Sequence, residues 1–148
     1  MRVALRQVTE CDMSFAFEAK RQALGPYIRS RWGWSEEFQL DLHKQRWGEK
    51  PWFIILLENT PIGTVSIQEG SDFIRFGEFY LLPEYQGKGL GSEILAGVLN
   101  RADEAGLPVT LEYLKWNPVA SLYQRYGFQI TSETDVHFFA VRKPLTRE

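Results

Sequence analysis

The sequence predicts an α+β fold of mixed α/β layers: a largely antiparallel central sheet of about seven strands, with one parallel pair, flanked by about four helices. Three observations carry this reading. Extended segments at 52–58, 62–68 and 73–82 are separated by only three and four residues, and connections that short join antiparallel neighbours. Leu90, Ile94, Val98 and Ala102 recur every fourth residue, a helical stripe standing between two extended segments, so that helix is a crossover and its flanking strands form a parallel pair. The 148 residues, 44% hydrophobic and 24% charged, suit one domain spanning 1–148 around one core.

Taken in order, residues 2–8 (RVALRQV) alternate as a strand does, and Asp12 stands where an N-cap would open a helix of about 12 residues ending near Gly25-Pro26. Residues 27–34 show no clean period. Ser35 followed by Glu36 and Glu37 reads as the cap and acidic first turn of a second helix through Trp47. After the three strands, the 90–105 helix stops at Gly106-Leu107-Pro108. Residues 109–116 form a strand, Asn117-Pro118 opens a short helix ending at Tyr126-Gly127, and 128–134 and 136–142 close the sheet. The order is β-α-α-β-β-β-α-β-α-β-β.

Charge narrows the partners. Seventeen basic and nineteen acidic residues are mixed along the chain for a net −2, which leaves no electrostatic footprint for nucleic acid or an anionic membrane and points to a small ligand. Cys11 alone cannot form an internal disulfide, and His43 and His137 lack metal-ligand spacing, so no metal is expected and a reducing cytoplasm fits. No apolar run approaches the ~20 residues that span a bilayer, and the N-terminus has no signal-type apolar region. Oligomeric state stays open, a homodimer included.

The most specific feature is Gln86-Gly87-Lys88-Gly89-Leu90-Gly91, leading from a strand directly into the best-defined helix. Glycines open backbone conformations closed to other residues and put no Cβ between main chain and ligand, so free N–H groups can converge on phosphate oxygens. The helix dipole and Lys88 add positive charge there. A plain helix-starting turn would use the same residues. A Walker A loop would need a glycine where Leu82 stands and Ser or Thr where Gly89 stands. A dinucleotide fingerprint would need glycine in place of Ser92 and a βαβ unit in place of three antiparallel strands, although Glu112 lies about 20 residues on, as that motif asks.

At this loop the chain resembles the GCN5-related N-acetyltransferases (GNAT), whose signature is Gln or Arg, two residues, Gly, one residue, then Gly or Ala: here Gln86, Gly89 and Gly91. A second family signature lies in LEYLKWNPVASLYQRYGF, residues 111–128, and the element order matches over nearly the whole chain. The resemblance implies a GNAT-like fold that binds acetyl-CoA. Backbone of Phe79, Tyr80 and Leu81 would pair with the pantetheine arm, amides from Gly87, Lys88, Gly89, Leu90, Gly91 and Ser92 would hold the pyrophosphate, and Asn117 would both cap its helix and bond the arm. Tyr123, at the family's Tyr-x-x-x-Gly-Phe position, would give a proton to the leaving thiolate; a phenol near ~10 stays protonated where a free thiol near ~8.5 does not.

The expected reaction is direct attack by a primary amine, of a small molecule or peptide, in a ternary complex. The amine needs a base. Glu112 matches the glutamate of family members acting on protein N-termini, and Glu78, on the strand before the loop, reaches the same cleft. The oxyanion would meet the N–H of Leu81. Tyr27, Arg29, Arg31, Trp32 and Trp34 cluster where the resemblance puts a wall of the acceptor site and would suit a carboxylate or an aromatic ring, or else fill a core edge. A non-catalytic acyl-CoA sensor would share the cofactor residues. Cys11 has no histidine near it in sequence, and no Gly-x-Ser-x-Gly anchors a serine nucleophile.

Overall fold

The computed structural model describes residues 2–145. Strands β1 (Val3–Gln7), β2 (Trp52–Leu57), β3 (Thr60–Glu69), β4 (Ile74–Leu81), β5 (Val109–Leu114), β6 (Gln129–Glu133) and β7 (His137–Arg142) form one sheet in the order β1-β2-β3-β4-β5-β7-β6. All neighbours are antiparallel except β4 and β5, which are parallel. Helices α1 (Met13–Trp32) and α2 (Glu36–Glu49) precede β2, α3 (Leu90–Ala105) crosses from β4 to β5, and α4 (Ala120–Arg125) follows β5.

Each face of the sheet has its own packing. The α3 stripe, Leu90, Ile94, Leu95, Val98, Leu99 and Ala102, is buried against Ile55, Val65, Ile74, Phe76, Val109 and Leu111. Gly106 in the left-handed region (φ 70) ends the helix as its position predicts. Ala19, Leu24 and Ile28 of α1 pack on Tyr80, with Leu82 and Leu114 alongside. His43 and Trp47 of α2 close the same side on Trp52, with ring centroids 5.2–5.7 Å apart.

Three local expectations are corrected. The first helix does not stop at Gly25-Pro26; it continues to Trp32 with Pro26 inside it, and the buried Leu24 and Ile28 on either side of the proline hold the helix on the sheet. Asp12 does not cap that helix, because its carboxylate is spent elsewhere, taking both guanidinium nitrogens of Arg6 (2.8 and 3.0 Å) and the N–H of Thr9 (2.7 Å). Asn117 caps a turn, not the helix itself: Oδ1 accepts from the N–H of Val119 at 3.1 Å and α4 starts only at Ala120. Ser35 does cap α2, accepting from the N–H of Phe38 at 3.3 Å.

The feature that shapes the site is a β-bulge. Ser66 pairs with Gly77 and Thr64 with Tyr80, so Val65 faces two residues, Glu78 and Phe79, and Glu78 has φ 45. The alternation of β4 flips there: Phe76 and Phe79 meet on the α3 face, centroids 5.3 Å apart, while Glu78 and Tyr80 both face α1 and α2. Past the first two pairs, Ile74–Val109 and Arg75–Thr110, β4 and β5 part, opening a wedge in mid-sheet.

Gly63 lets β3 pass close to β4 beyond the bulge, since a Cβ there would lie 2.1 Å from the carbonyl oxygen of Tyr80. Gly63→Ala should therefore destabilise the fold by about 3 kcal/mol, as overpacked sites do. A urea titration checks this: the midpoint should fall at constant m, and an unmoved midpoint would contradict the close approach.

Candidate active site

The glycine loop follows the unpaired end of β4 and borders the smaller of two cavities in the wedge. Leu82 donates to Ile62 O at 2.9 Å, so by antiparallel alternation Leu81 turns its N–H and C=O away from β3, and its carbonyl accepts from Gln86 Nε2 at 2.9 Å. The Leu81 N–H thus points into the wedge. A cavity of about 280 Å³ runs from there along Phe79, Tyr80, Gly87, Gly89, Gly91 and Ser92 to Asn117 and Leu122.

The local conformation suits an anion. Gly87 (φ 73) and Gly89 (φ 79) occupy the left-handed region, and Gly89 is the N-cap of α3. The first intrahelical bond runs from Glu93 N to Gly89 O, so the amides of Leu90, Gly91 and Ser92 lack helical acceptors. A Cβ on Gly91 would sit 3.2 Å from the Phe79 ring, so only a bare backbone lets loop and strand approach. Leu90 itself is buried in the core, leaving only its main chain to face a ligand. Lys88 lies 5.9 Å from the Tyr85 ring. Arg2 ties the loop down, donating to Lys88 O at 3.1 Å and pairing with Glu93 at 2.6 Å.

A second, wider cavity of about 320 Å³ adjoins the first at Leu24, Phe79, Tyr80 and Asn117 and reaches back to Arg75 and Phe76. Glu78, Glu112 and Tyr123 all line it. The Tyr123 ring is held by Tyr113, Phe128 and Phe76, with centroids 5.4–6.3 Å away, and burial pushes its phenol above the usual value, which keeps it protonated. Glu112 of β5 is half-buried and meets Arg75 of β4 at 3.1 Å across the parallel pair. Glu78 is buried; Oε1 lies 3.1 Å from Lys50 Nζ and 3.5 Å from Arg46, and Oε2 accepts from the Tyr80 hydroxyl at 3.1 Å. Burial pushes the Glu78 carboxyl up, but Lys50, Arg46 and Lys20 outweigh it and hold the group below the usual range, so it is ionised.

The five aromatic and basic residues at 27–34 are not brought together as one wall. Four of them lie on the continuous helix and fan around its axis, and Trp34 follows its end; Arg31 and Trp32 do meet, both on the Trp116 ring, Trp32 at 5.1 Å between centroids. Trp32 lines the wide cavity and Tyr27 the narrow one. Arg31 lies over the Trp116 ring at 4.5 Å, Arg29 is exposed and lines neither cavity, and Trp34 packs on Phe17 while donating to Glu36 at 2.9 Å.

In their place the wide cavity is lined by Lys20, Arg46, Lys50 and Arg75, none of which the sequence reading singled out. Lys20 had a legible signal: it interrupts the apolar i,i+4 row Ala16, Leu24, Ile28 of α1, a row hidden by ending the helix at Gly25. It is 3% exposed and makes no hydrogen bond or ion pair among the described residues. Burial, then Arg46 and Lys50, pull its ammonium down to about 8. Below pH 8 Lys20 is protonated both folded and unfolded, and its penalty is fully present. Between about 8 and its ordinary 10.5 the unfolded chain binds the extra proton, so folding stability rises with pH. The gap corresponds to roughly 3 kcal/mol. Lys20→Met should raise the melting temperature at pH 7 and flatten the rise in stability above pH 8; a lower melting temperature at pH 7 would contradict this.

Comparison with known proteins agrees with the geometry. The structure matches the paia N-acetyltransferase of Thermoplasma acidophilum, solved in complex with coenzyme A, with a TM-score of 0.76 at 18% identity, covering 97% of this chain and 99% of that one. It matches an acetyltransferase from Thermus thermophilus with a TM-score of 0.73 at 18% identity, covering 97% of each chain. At such identities the likeness is one of fold. The sequence itself matches the model of the acetyltransferase (GNAT) family over residues 16–128. With that match spanning the bulged strand, the glycine loop and the Tyr123 helix, the chain belongs to the GNAT acetyltransferase family.

Proposed function

We propose that the protein transfers an acetyl group from acetyl-CoA to a primary amine by direct attack in a ternary complex. The observation that carries this reading is the single wedge between β4 and β5, with free helix-start amides at one end and Glu78, Glu112 and Tyr123 at the other. Coenzyme A bound there would supply the acetyl group as a thioester. The residues present fit such a ligand: Gly87 and Gly89 hold backbone that a side chain would strain, and the Leu90, Gly91 and Ser92 amides await an anionic partner. Gln86 fixes the Leu81 peptide so that its N–H faces the wedge, a donor in place for negative charge developing on a carbonyl oxygen.

Proton movements fall to the wide cavity. The amine must lose a proton, and Glu112 or Glu78 takes it, directly or through water. Glu78 already accepts from Lys50 and Tyr80. Glu112 has one ion-pair partner, Arg75, and is the more open of the two. Tyr123 holds a proton at its phenol oxygen and gives it to the departing sulfur, since burial disfavours a bare thiolate there; the phenolate left behind is disfavoured by the same burial and regains a proton from water.

The test is release of CoA thiol from acetyl-CoA across a panel of amines, amino acids and peptides. Tyr123→Phe should keep CoA affinity and slow turnover by roughly 10² or more; undiminished turnover would remove Tyr123 from the acid's role. Gly89→Val should abolish the rise in melting temperature that CoA produces, since a β-branched residue resists φ 79 and covers the amides. Survival of that rise would move the pyrophosphate site away from the loop. Thermal stabilisation by CoA with no turnover of any amine would favour a sensor over an enzyme.

A further inference from the structure

The wide cavity carries unbalanced charge. Four cations, Lys20, Arg46, Lys50 and Arg75, line it against two carboxylates, Glu78 and Glu112. Arg75 is matched by Glu112, and Lys50 and Arg46 share Glu78. Lys20 is left over: 97% of its surface is covered, and no hydrogen bond or ion pair reaches it among the described residues. A buried, unpaired ammonium is unfavourable, and an apolar side chain would pack on the Ala16, Leu24, Ile28 row without that penalty. Its neighbours compensate it only in part: Glu78 attracts it, but Arg46 and Lys50 share that carboxylate and repel a third cation.

What Lys20 does face is ligand space, and from this, resting on the acyltransferase reading above, we infer that the acceptor is a small amine bearing an anionic group, a carboxylate, which docks on Lys20 with its amine directed along the wedge toward Tyr123. An anion at that point supplies the counter-charge that the fold withholds and forms a charge-assisted hydrogen bond out of bulk water. Polyamines are disfavoured by the same field, because a second ammonium would enter among four cations. At about 320 Å³ the cavity is at the lower end of the ~300–1,000 Å³ typical of small-ligand pockets, room for a small amine. Trp32 and Phe38, 50% and 62% exposed, border it and give such a molecule an apolar surface to lie on.

Two pairs of compounds isolate the charge from everything else: 4-(aminomethyl)benzoate against 4-(aminomethyl)benzamide, and 4-aminobutyrate against 4-aminobutanamide. Binding to the CoA-loaded protein is read by calorimetry, without dependence on chemistry, and turnover is read separately by thiol release. We expect the carboxylate of at least one pair to bind tenfold or more tighter than its amide, and Lys20→Met to bring the two level. A purely structural role for Lys20 would shift both members of a pair alike. Equal affinity within both pairs, a carboxylate preference that survives Lys20→Met, or no binding by any of the four overturns the inference. A carboxylate that binds through Lys20 and is not acetylated upholds the Lys20 carboxylate site and counts against the acyltransferase reading on which its role as acceptor rests.

Discussion

Val65 of β3 faces two residues of β4 where a regular ladder would offer one, and most of what is distinctive in this structure follows from that extra residue. The strand bends, its alternation reverses, and Glu78 and Tyr80 are delivered to the α1–α2 side while Phe79 and Leu81 stay on the α3 side. A sheet cannot hold two neighbours in register through such a bend, so β4 and β5 separate after two pairs. The separation leaves main-chain groups of Leu81 unpaired by strand hydrogen bonds, and unpaired backbone in a sheet interior is tolerable where another group satisfies it. Gln86 satisfies the carbonyl. The N–H remains available.

The same bulge creates the electrostatic problem in the wide cavity. Turned toward α1 and α2, Glu78 becomes a buried carboxylate, and it is stable there only because Lys50, Arg46 and the Tyr80 hydroxyl converge on it. Such a cluster is a poor source of fold stability, since desolvation offsets most of the attraction. Lys20 makes the balance worse. On an otherwise apolar helical row it adds a buried charge that an apolar side chain would not.

Much of the architecture was legible because it rests on short-range physics. The three closely spaced strands had to be antiparallel, the Leu90–Ala102 stripe had to lie on a sheet, and the Gln86–Gly91 loop sat between them, so order, crossover and loop position followed from spacing. The first helix was misread because local propensity at Gly25-Pro26 was outweighed by burial of Leu24 and Ile28, which sequence position alone does not display. That error carried forward. It hid the row on which Lys20 stands and made residues 27–34 look like a surface cluster when they fan around a helix. Arg46, Lys50 and Arg75 were not legible, because exposed-looking basic residues on two elements become one cavity wall only through the bulge.

In the reading proposed above, coenzyme A lies in the gap between β4 and β5, with its phosphates on the start of α3. Amide hydrogen exchange measured residue by residue, with and without CoA, tests this most directly. Protection that appears at Leu81 and at Gly87–Ser92, and leaves the β6–β7 edge unchanged, is the result predicted. Protection absent from both of those segments while CoA binds elsewhere on the protein would contradict it.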